Sequence, residues 1–184
     1  AGVIGCELVN ILNNYGAKLL VGDIKRRPTS FPSSVQYRRG DLNYIESYEI
    51  QTFQPDIFIH LAATFERTEE SLDFYNKNYW NNINLSNRLA KIFIQQNKIK
   101  KIIFASSYLV YDQQLYLSNN PKEIPYKLNE NSILKPRNLI GLAKFYHENE
   151  LNFLKKFYNK YPKIVSIRIF RGFCKNSNDI ISRW

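Results

Sequence analysis

A doubly wound α/β layer with a parallel sheet and helices on both faces is the fold this sequence predicts, and three observations predict it. Short apolar runs bounded by turn residues recur along the chain, stretches of helical length and periodicity separate them, and a glycine-rich turn runs directly into the first amphipathic helix. Strands separated by helix-length connections cannot pair as tight hairpins, so parallel pairing through crossover helices follows.

The first element is Ala1-Gly2-Val3-Ile4-Gly5-Cys6-Glu7-Leu8, the second half of a glycine-rich turn entering a helix whose apolar positions are Val3, Ile4, Leu8, Ile11 and Leu12. Such a turn needs a strand before it and a first glycine that reverses the chain. The composition contains no methionine. The sequence is therefore expected to be an internal fragment of a longer protein, with a sheet lacking its first strand.

Gly16 stops the helix, and the run from Leu19 to Asp23 is a strand that ends in a carboxylate. Val35-Gln36-Tyr37-Arg38 is the next strand, leading through Arg39-Gly40-Asp41-Leu42 into a helix capped by Asn43 and running to about Phe53. Pro55 to Ala63 reads as a buried strand that runs into small residues, which let a ligand approach the backbone. A long periodic stretch from Glu70 to Asn97 reads as a helix, and Lys101–Ala105 and Ile164–Ile169 are the remaining strands.

Gly2, Gly5 and Asp23 carry the first functional signal. A carboxylate about 20 residues past a glycine turn, at the end of the following strand, is the arrangement that grips a dinucleotide. Asp23 would accept hydrogen bonds from the adenosine ribose hydroxyls and repel a 2′-phosphate, which favours NAD over NADP. Lys25, Arg26 and Arg27 follow and would soften that preference by offering a phosphate partner. Asp23 as a simple turn cap is the competing reading.

With 184 residues, 44% of them hydrophobic, the chain can bury the core of one domain. Its net charge of +10 is scattered, with no aromatic-basic stripe, so a nucleic-acid partner is not expected. A basic surface that attracts a diphosphate-bearing substrate is the milder reading. Cys6 and Cys174 are too few for a disulfide framework, which points to a reducing cytoplasm. His60 and His147 lack the spacing of a metal site, no metal is expected, and His60 reads as a satisfied residue at the core edge. No apolar run is long enough to cross a membrane.

Ile140-Gly141-Leu142-Ala143-Lys144 has the spacing and surroundings of a Tyr-x-x-x-Lys catalytic helix, with isoleucine where the phenol belongs. Together with Gly2-Val3-Ile4-Gly5, Asp23, Gly40-Asp41-Leu42, His60-Leu61-Ala62-Ala63, Asn78 and Ser106-Ser107-Tyr108-Leu109-Val110-Tyr111, this order resembles the extended short-chain dehydrogenase/reductases. Within them it is most similar to the NAD-dependent epimerase/dehydratase group that acts on nucleotide sugars, over nearly the whole chain.

The resemblance implies a Rossmann-like NAD-binding domain over residues 1–174, with 175–184 opening a truncated substrate domain. It implies that Gly2, Val3, Ile4 and Gly5 face the cofactor pyrophosphate at a helix N-terminus, where unpaired N–H groups favour anions. Asp41 and Leu42 would border the adenine, Leu61, Ala62 and Ala63 would line the way to the nicotinamide, and Asn78 belongs to the same set. Ser107 would hydrogen-bond the reacting sugar hydroxyl. Lys144 would hold the nicotinamide ribose and lower the pKa of a tyrosine four residues earlier, since positions i and i+4 share a helix face.

Losing the phenol removes a general base typically worth about 10²–10⁴-fold. Of Tyr108 and Tyr111, which follow Ser107, Tyr108 at the strand end is the expected substitute, while Tyr146 points to the other side of its helix and His147 lies a turn too far. Near the end, Arg171 and Cys174 stand where asparagine and glycine are common in the family. The implied activities are epimerisation, dehydration or reduction of a nucleotide sugar through hydride transfer to bound NAD. The alternative is a non-catalytic dinucleotide-binding protein. A homodimer of the full-length protein is a further expectation.

Overall fold

The computed structural model describes residues 2–66, 70–117, 126–158 and 162–170. Helix α1 (Val3–Asn14) ends at Gly16, whose φ of +75° lets the chain turn back while its N–H bonds to the Asn13 carbonyl. Strands β1 (Leu20–Asp23) and β2 (Gln36–Arg39) then pair in parallel. The next helix is not capped by Asn43. A short 3₁₀ turn, Leu42–Tyr44, intervenes with Asp41 as its cap, and α2 (Ser47–Phe53) starts from Glu46, which forms a reciprocal capping box with Glu49.

Strand β3 (Ile57–His60) leads to α3 (Leu72–Asn78), capped by Ser71, and onward to α4 (Leu85–Ile94). The single helix expected between Glu70 and Asn97 is interrupted by a π-helical stretch, Tyr79–Asn84. The cause lies at Asn82, which reaches out to both backbone groups of Thr64, at 2.8 and 2.9 Å. Strand β4 (Lys101–Ser107) runs two residues beyond the apolar signal because Ser106 and Ser107 stay in register with Arg168 and Ile169 of β5 (Lys163–Ile169). Helix α5 (Leu139–Leu154) connects the two and is capped by Asn138, whose Oδ1 accepts from the Gly141 N–H.

All strand pairs are parallel, in two sheets of order β1-β2 and β3-β4-β5. Among the described residues, β1 and β3 each carry one ladder only. The sheets share one core: Leu20 of β1, Phe58 of β3, Ile102 of β4 and Ile164 of β5 meet Ile50 of α2 and Leu85, Leu89, Ile92 and Phe93 of α4. Val21, on the opposite face of β1, packs with Val9 of α1, Phe31, Val35 and Tyr37. Helices therefore cover both faces, as in a Rossmann-like layer.

Candidate active site

The site starts at α1. Gly2 caps this helix without a side-chain bond, and no acidic residue occupies its first turn. Its first N–H groups are thus left for an anion. A Cβ at Gly2 would meet nothing within 4 Å, and one at Gly5 only Leu61 Cδ1 at 3.9 Å. Among the described residues, nothing clashes with a Cβ at either position. Leu61 brings the end of β3 against this turn, with Ala62 packed on the core below and Ala63 exposed.

At the end of β1, Asp23 Oδ1 accepts from the Lys25 N–H at 2.8 Å, so the carboxylate does cap its turn. Arg27 is occupied elsewhere, donating to the carbonyls of Val35, Pro32 and Phe31 at 2.5, 2.6 and 3.3 Å. Lys25 and Arg26 remain exposed. Asp41 also has local partners: Oδ1 accepts from the Asn43 N–H and Nδ2, and Oδ2 from Trp80 Nε1 at 3.1 Å. Trp80 had no sequence signal linking it to Asp41. Leu42 packs on Gly22, where any Cβ would force it aside. Asn78 is buried and accepts from Asn82 Nδ2 at 2.7 Å, joining the network that pins Thr64.

Beneath these groups lies a buried polar cluster. The face of α5 that packs inward carries Ile140, Ala143, Lys144, His147, Glu148 and Leu151. The Lys144 Nζ sits 4.7 Å from the centre of the Phe104 ring, and burial pulls its pKa down to about 8. His60 shares a 2.8 Å hydrogen bond with Ser86 Oγ and is 2% exposed, the satisfied core residue expected. Burial, then the charges of Lys144 and His147, push His60 well below its ordinary value. His147 meets Glu150 at 2.8 Å, and Glu150 also accepts from Asn87. Burial lowers His147, with the Glu150 carboxylate opposing.

At the end of β4, Ser107 Oγ accepts from the Leu109 N–H at 3.2 Å and so folds the chain into the turn Tyr108–Val110. Ile140 is buried, 8% exposed. Tyr108 stacks on Phe170 and meets Tyr116 edge-on. Tyr111 places its hydroxyl on Arg168, which also grips Glu148 through two bonds at 3.1 and 2.8 Å. The carboxylate bonds hold the Arg168 guanidinium far above the range in which it could lose its proton. Tyr146 is exposed on the outer side of α5. Arg171, Cys174 and the segment 175–184 lie outside the described residues.

The chain belongs to the NAD-dependent epimerase/dehydratase family, whose model matches residues 1–181. Solved structures similar in fold include the UDP-glucose 4-epimerase of Brucella ovis in complex with NAD, 24% identical with a TM-score of 0.73, covering 92% of this chain and 49% of that one. The UDP-glucuronic acid 4-epimerase of Bacillus cereus in complex with NAD is 22% identical, TM-score 0.71, covering 92% and 54%. A NAD-dependent NDP-hexosamine 5,6-dehydratase involved in tunicamycin biosynthesis is 19% identical, TM-score 0.66, covering 91% and 51%. This chain thus spans about half the length of each. No curated protein matches the sequence. Among the described residues no three His, Cys, Asp or Glu side chains are grouped to hold a metal ion, and no helix is long and apolar enough to cross a membrane.

The residues present fit the family's cofactor. The start of α1 has no side-chain cap, which suits a pyrophosphate, and Asp23 at the end of β1 offers a carboxylate that would suit ribose hydroxyls.

Proposed function

We propose that this chain is the NAD-binding part of a cytoplasmic protein that acts on a nucleotide sugar and has no nucleic-acid partner. The observation that carries the reading is the start of α1, where Gly5 lies beside Leu61 at the end of β3. Gly2, Val3, Ile4 and Gly5 present backbone N–H groups to the pyrophosphate, Asp23 receives the ribose hydroxyls, and Asp41, Leu42, Leu61, Ala62, Ala63 and Asn78 shape the remaining walls. Lys144 donates to the nicotinamide ribose. Bound NAD supplies the hydride acceptor for a sugar carbon. Ser107 Oγ accepts from the Leu109 N–H, and its own O–H would donate to the sugar oxygen.

A second reading, a dinucleotide-binding protein without turnover, is favoured by Ile140. Each candidate substitute is engaged elsewhere: Tyr111 with Arg168, His147 with Glu150, Tyr108 in an aromatic stack, Tyr146 on the outside. A homodimer would pack on the exposed stripe Leu142, Tyr146 and Phe153 of α5.

Calorimetric titration tests the cofactor assignment. NAD is expected to bind roughly tenfold or more tightly than NADP, with the difference lost in Asp23→Asn. Equal binding of the two cofactors by the parent protein would place Lys25 or Arg26 in control of the pocket.

A further inference from the structure

Asp41 lies in the turn that leaves β2, and two contacts tie that turn to the end of β1. The Gly40 N–H donates to the Asp23 carbonyl at 2.9 Å, and the Leu42 side chain lies on Gly22. Asp23 and Asp41 therefore belong to one layer of strand ends. On the reading above, Asp23 takes the adenosine ribose and Asp41 borders the base joined to it.

The Asp41 carboxylate is held from two sides. Oδ1 accepts from the Asn43 N–H at 2.8 Å and from Asn43 Nδ2 at 3.1 Å, while Oδ2 accepts from Trp80 Nε1 at 3.1 Å. An ionised carboxylate has about four acceptor positions, so Oδ2 keeps room for one more donor. Asn43 is buried and completes the clamp: its Nδ2 also donates to the Trp80 carbonyl at 3.3 Å, and its Oδ1 accepts from Asn84 Nδ2 at 2.9 Å. Trp80 belongs to the π-helical stretch, a kind of interruption often found at functional sites. Its indole is 41% exposed and lies beside the exposed ring of Tyr44, with ring centres 6.2 Å apart. Accessible rings beside a carboxylate with an open acceptor position match a flat base that carries an amino group at its edge.

We propose that Trp80 is a positioning residue for adenine recognition: its indole N–H holds Asp41 Oδ2 where the amino group at C6 of the base donates to it, and so makes the site selective for adenine over hypoxanthine. The inference rests on the cofactor reading above and adds to it a residue from a distant part of the chain. Hypoxanthine has a carbonyl at C6 and a proton on the neighbouring N1. A carboxylate free to swing would follow that proton and accept either base. One clamped between Asn43 and Trp80 stays at C6 and meets the carbonyl oxygen without a hydrogen bond.

NAD and its deamino analogue, in which hypoxanthine replaces adenine, are titrated calorimetrically into the full-length protein and into Trp80→Phe, which keeps a ring and removes the N–H. The parent is expected to bind NAD roughly tenfold more tightly than the analogue, the scale of one charge-assisted hydrogen bond. Trp80→Phe should erase most of that ratio, chiefly by weakening NAD, and Trp80→His, which restores a ring N–H, should recover part of it. The ratio is the readout because a tether that only stabilises the fold would weaken both cofactors alike. In an Asp41→Ala background Trp80→Phe should leave the ratio unmoved, since the carboxylate it positions is gone. Equal affinity of the parent for the two cofactors, an unchanged ratio in Trp80→Phe, or a ratio that Trp80→Phe still moves without Asp41 overturns the proposal. A parent that binds neither cofactor removes the cofactor reading, and the inference with it.

Discussion

The region from Gly2 to Glu66 and the region from Ser107 to Phe170 differ in how they hold the charges of the candidate site. In the first, the carboxylates at the candidate site are satisfied by nearby backbone and side-chain donors: Asp23 by Lys25, Asp41 by Asn43 and Trp80. In the second, four cations lie over rings: Lys144 over Phe104, Arg137 over Tyr108 and Tyr116, Arg168 over Tyr111 and Lys156 over Phe153. Local turns preorganise the dinucleotide side at small cost. Long-range packing builds the other side, where Lys144 is buried and a low dielectric raises the stakes of its charge. The first region is thus expected to tolerate substitution with modest losses, and the second to respond strongly.

The largest effect belongs to Ile140. Placing a phenol four residues before Lys144, on the same buried face, restores the pairing in which an ammonium favours a phenolate. Ile140→Tyr should raise NAD-dependent sugar oxidation by about 10²–10⁴-fold, followed by absorbance of the reduced cofactor. A parent already as fast as the variant would show that the base lies elsewhere, with Tyr108→Phe as the next measurement.

Next comes Gly141. A Cβ there would collide with the Leu109 carbonyl oxygen, which belongs to the turn that follows Ser107 and cannot yield as a flexible side chain would. Gly141→Ala should destabilise by about 3 kcal/mol in denaturant unfolding. A near-neutral result would mean that α5 slides on this turn without cost, and the contrast between the two regions would weaken.

Lys144 gives a smaller effect with a pH signature. Its folded-state pKa of about 8 lies below the ordinary 10.5, so between those values the unfolded chain holds a proton that the folded chain lacks. The penalty of burying the ammonium is complete below pH 8 and fades as the pH rises toward 10.5. Lys144→Met should therefore stabilise the protein by about 2 kcal/mol at pH 7, with the gain shrinking across that window. Parallel stability curves for the two proteins would mean that the ammonium is solvated in solution.

These contrasts also explain what could be read from the sequence. The strands, the helices and the glycine turn were legible because their signals are periodic and local, and so was the burial of His60 within an apolar run. The start of α2 was misread because Asn43 is a good cap by type, while the capping box at Glu46 and Glu49 wins through two reciprocal bonds. The π-helical stretch was hidden since its cause, Asn82 gripping Thr64, spans a connection between elements. For the same reason Trp80 beside Asp41 escaped notice: positions so far apart in the chain meet only once it has folded. Asp23 was read as either a ribose acceptor or a turn cap, and its bond to the Lys25 N–H realises the second without removing the first.

The smallest expected effect tests the tolerant region at Arg27. From sequence, Lys25, Arg26 and Arg27 were equivalent candidates for meeting a 2′-phosphate, yet Arg27 spends its guanidinium on three carbonyls between Phe31 and Val35. That bracket holds the loop joining β1 to β2, next to the Phe31–Tyr37 ring pair. Arg27→Ala should cost about 1 kcal/mol of stability, the range of a hydrogen-bonded surface group, and leave the ratio of NAD to NADP affinity unchanged. Removing Lys25 and Arg26 together should do the reverse, sparing stability and widening the preference for NAD, because both are exposed and follow Asp23 closely in the chain. A shift in cofactor ratio on Arg27→Ala alone would show that the guanidinium exchanges its carbonyls for phosphate when ligand is present, and that this loop is less fixed than its three bonds imply.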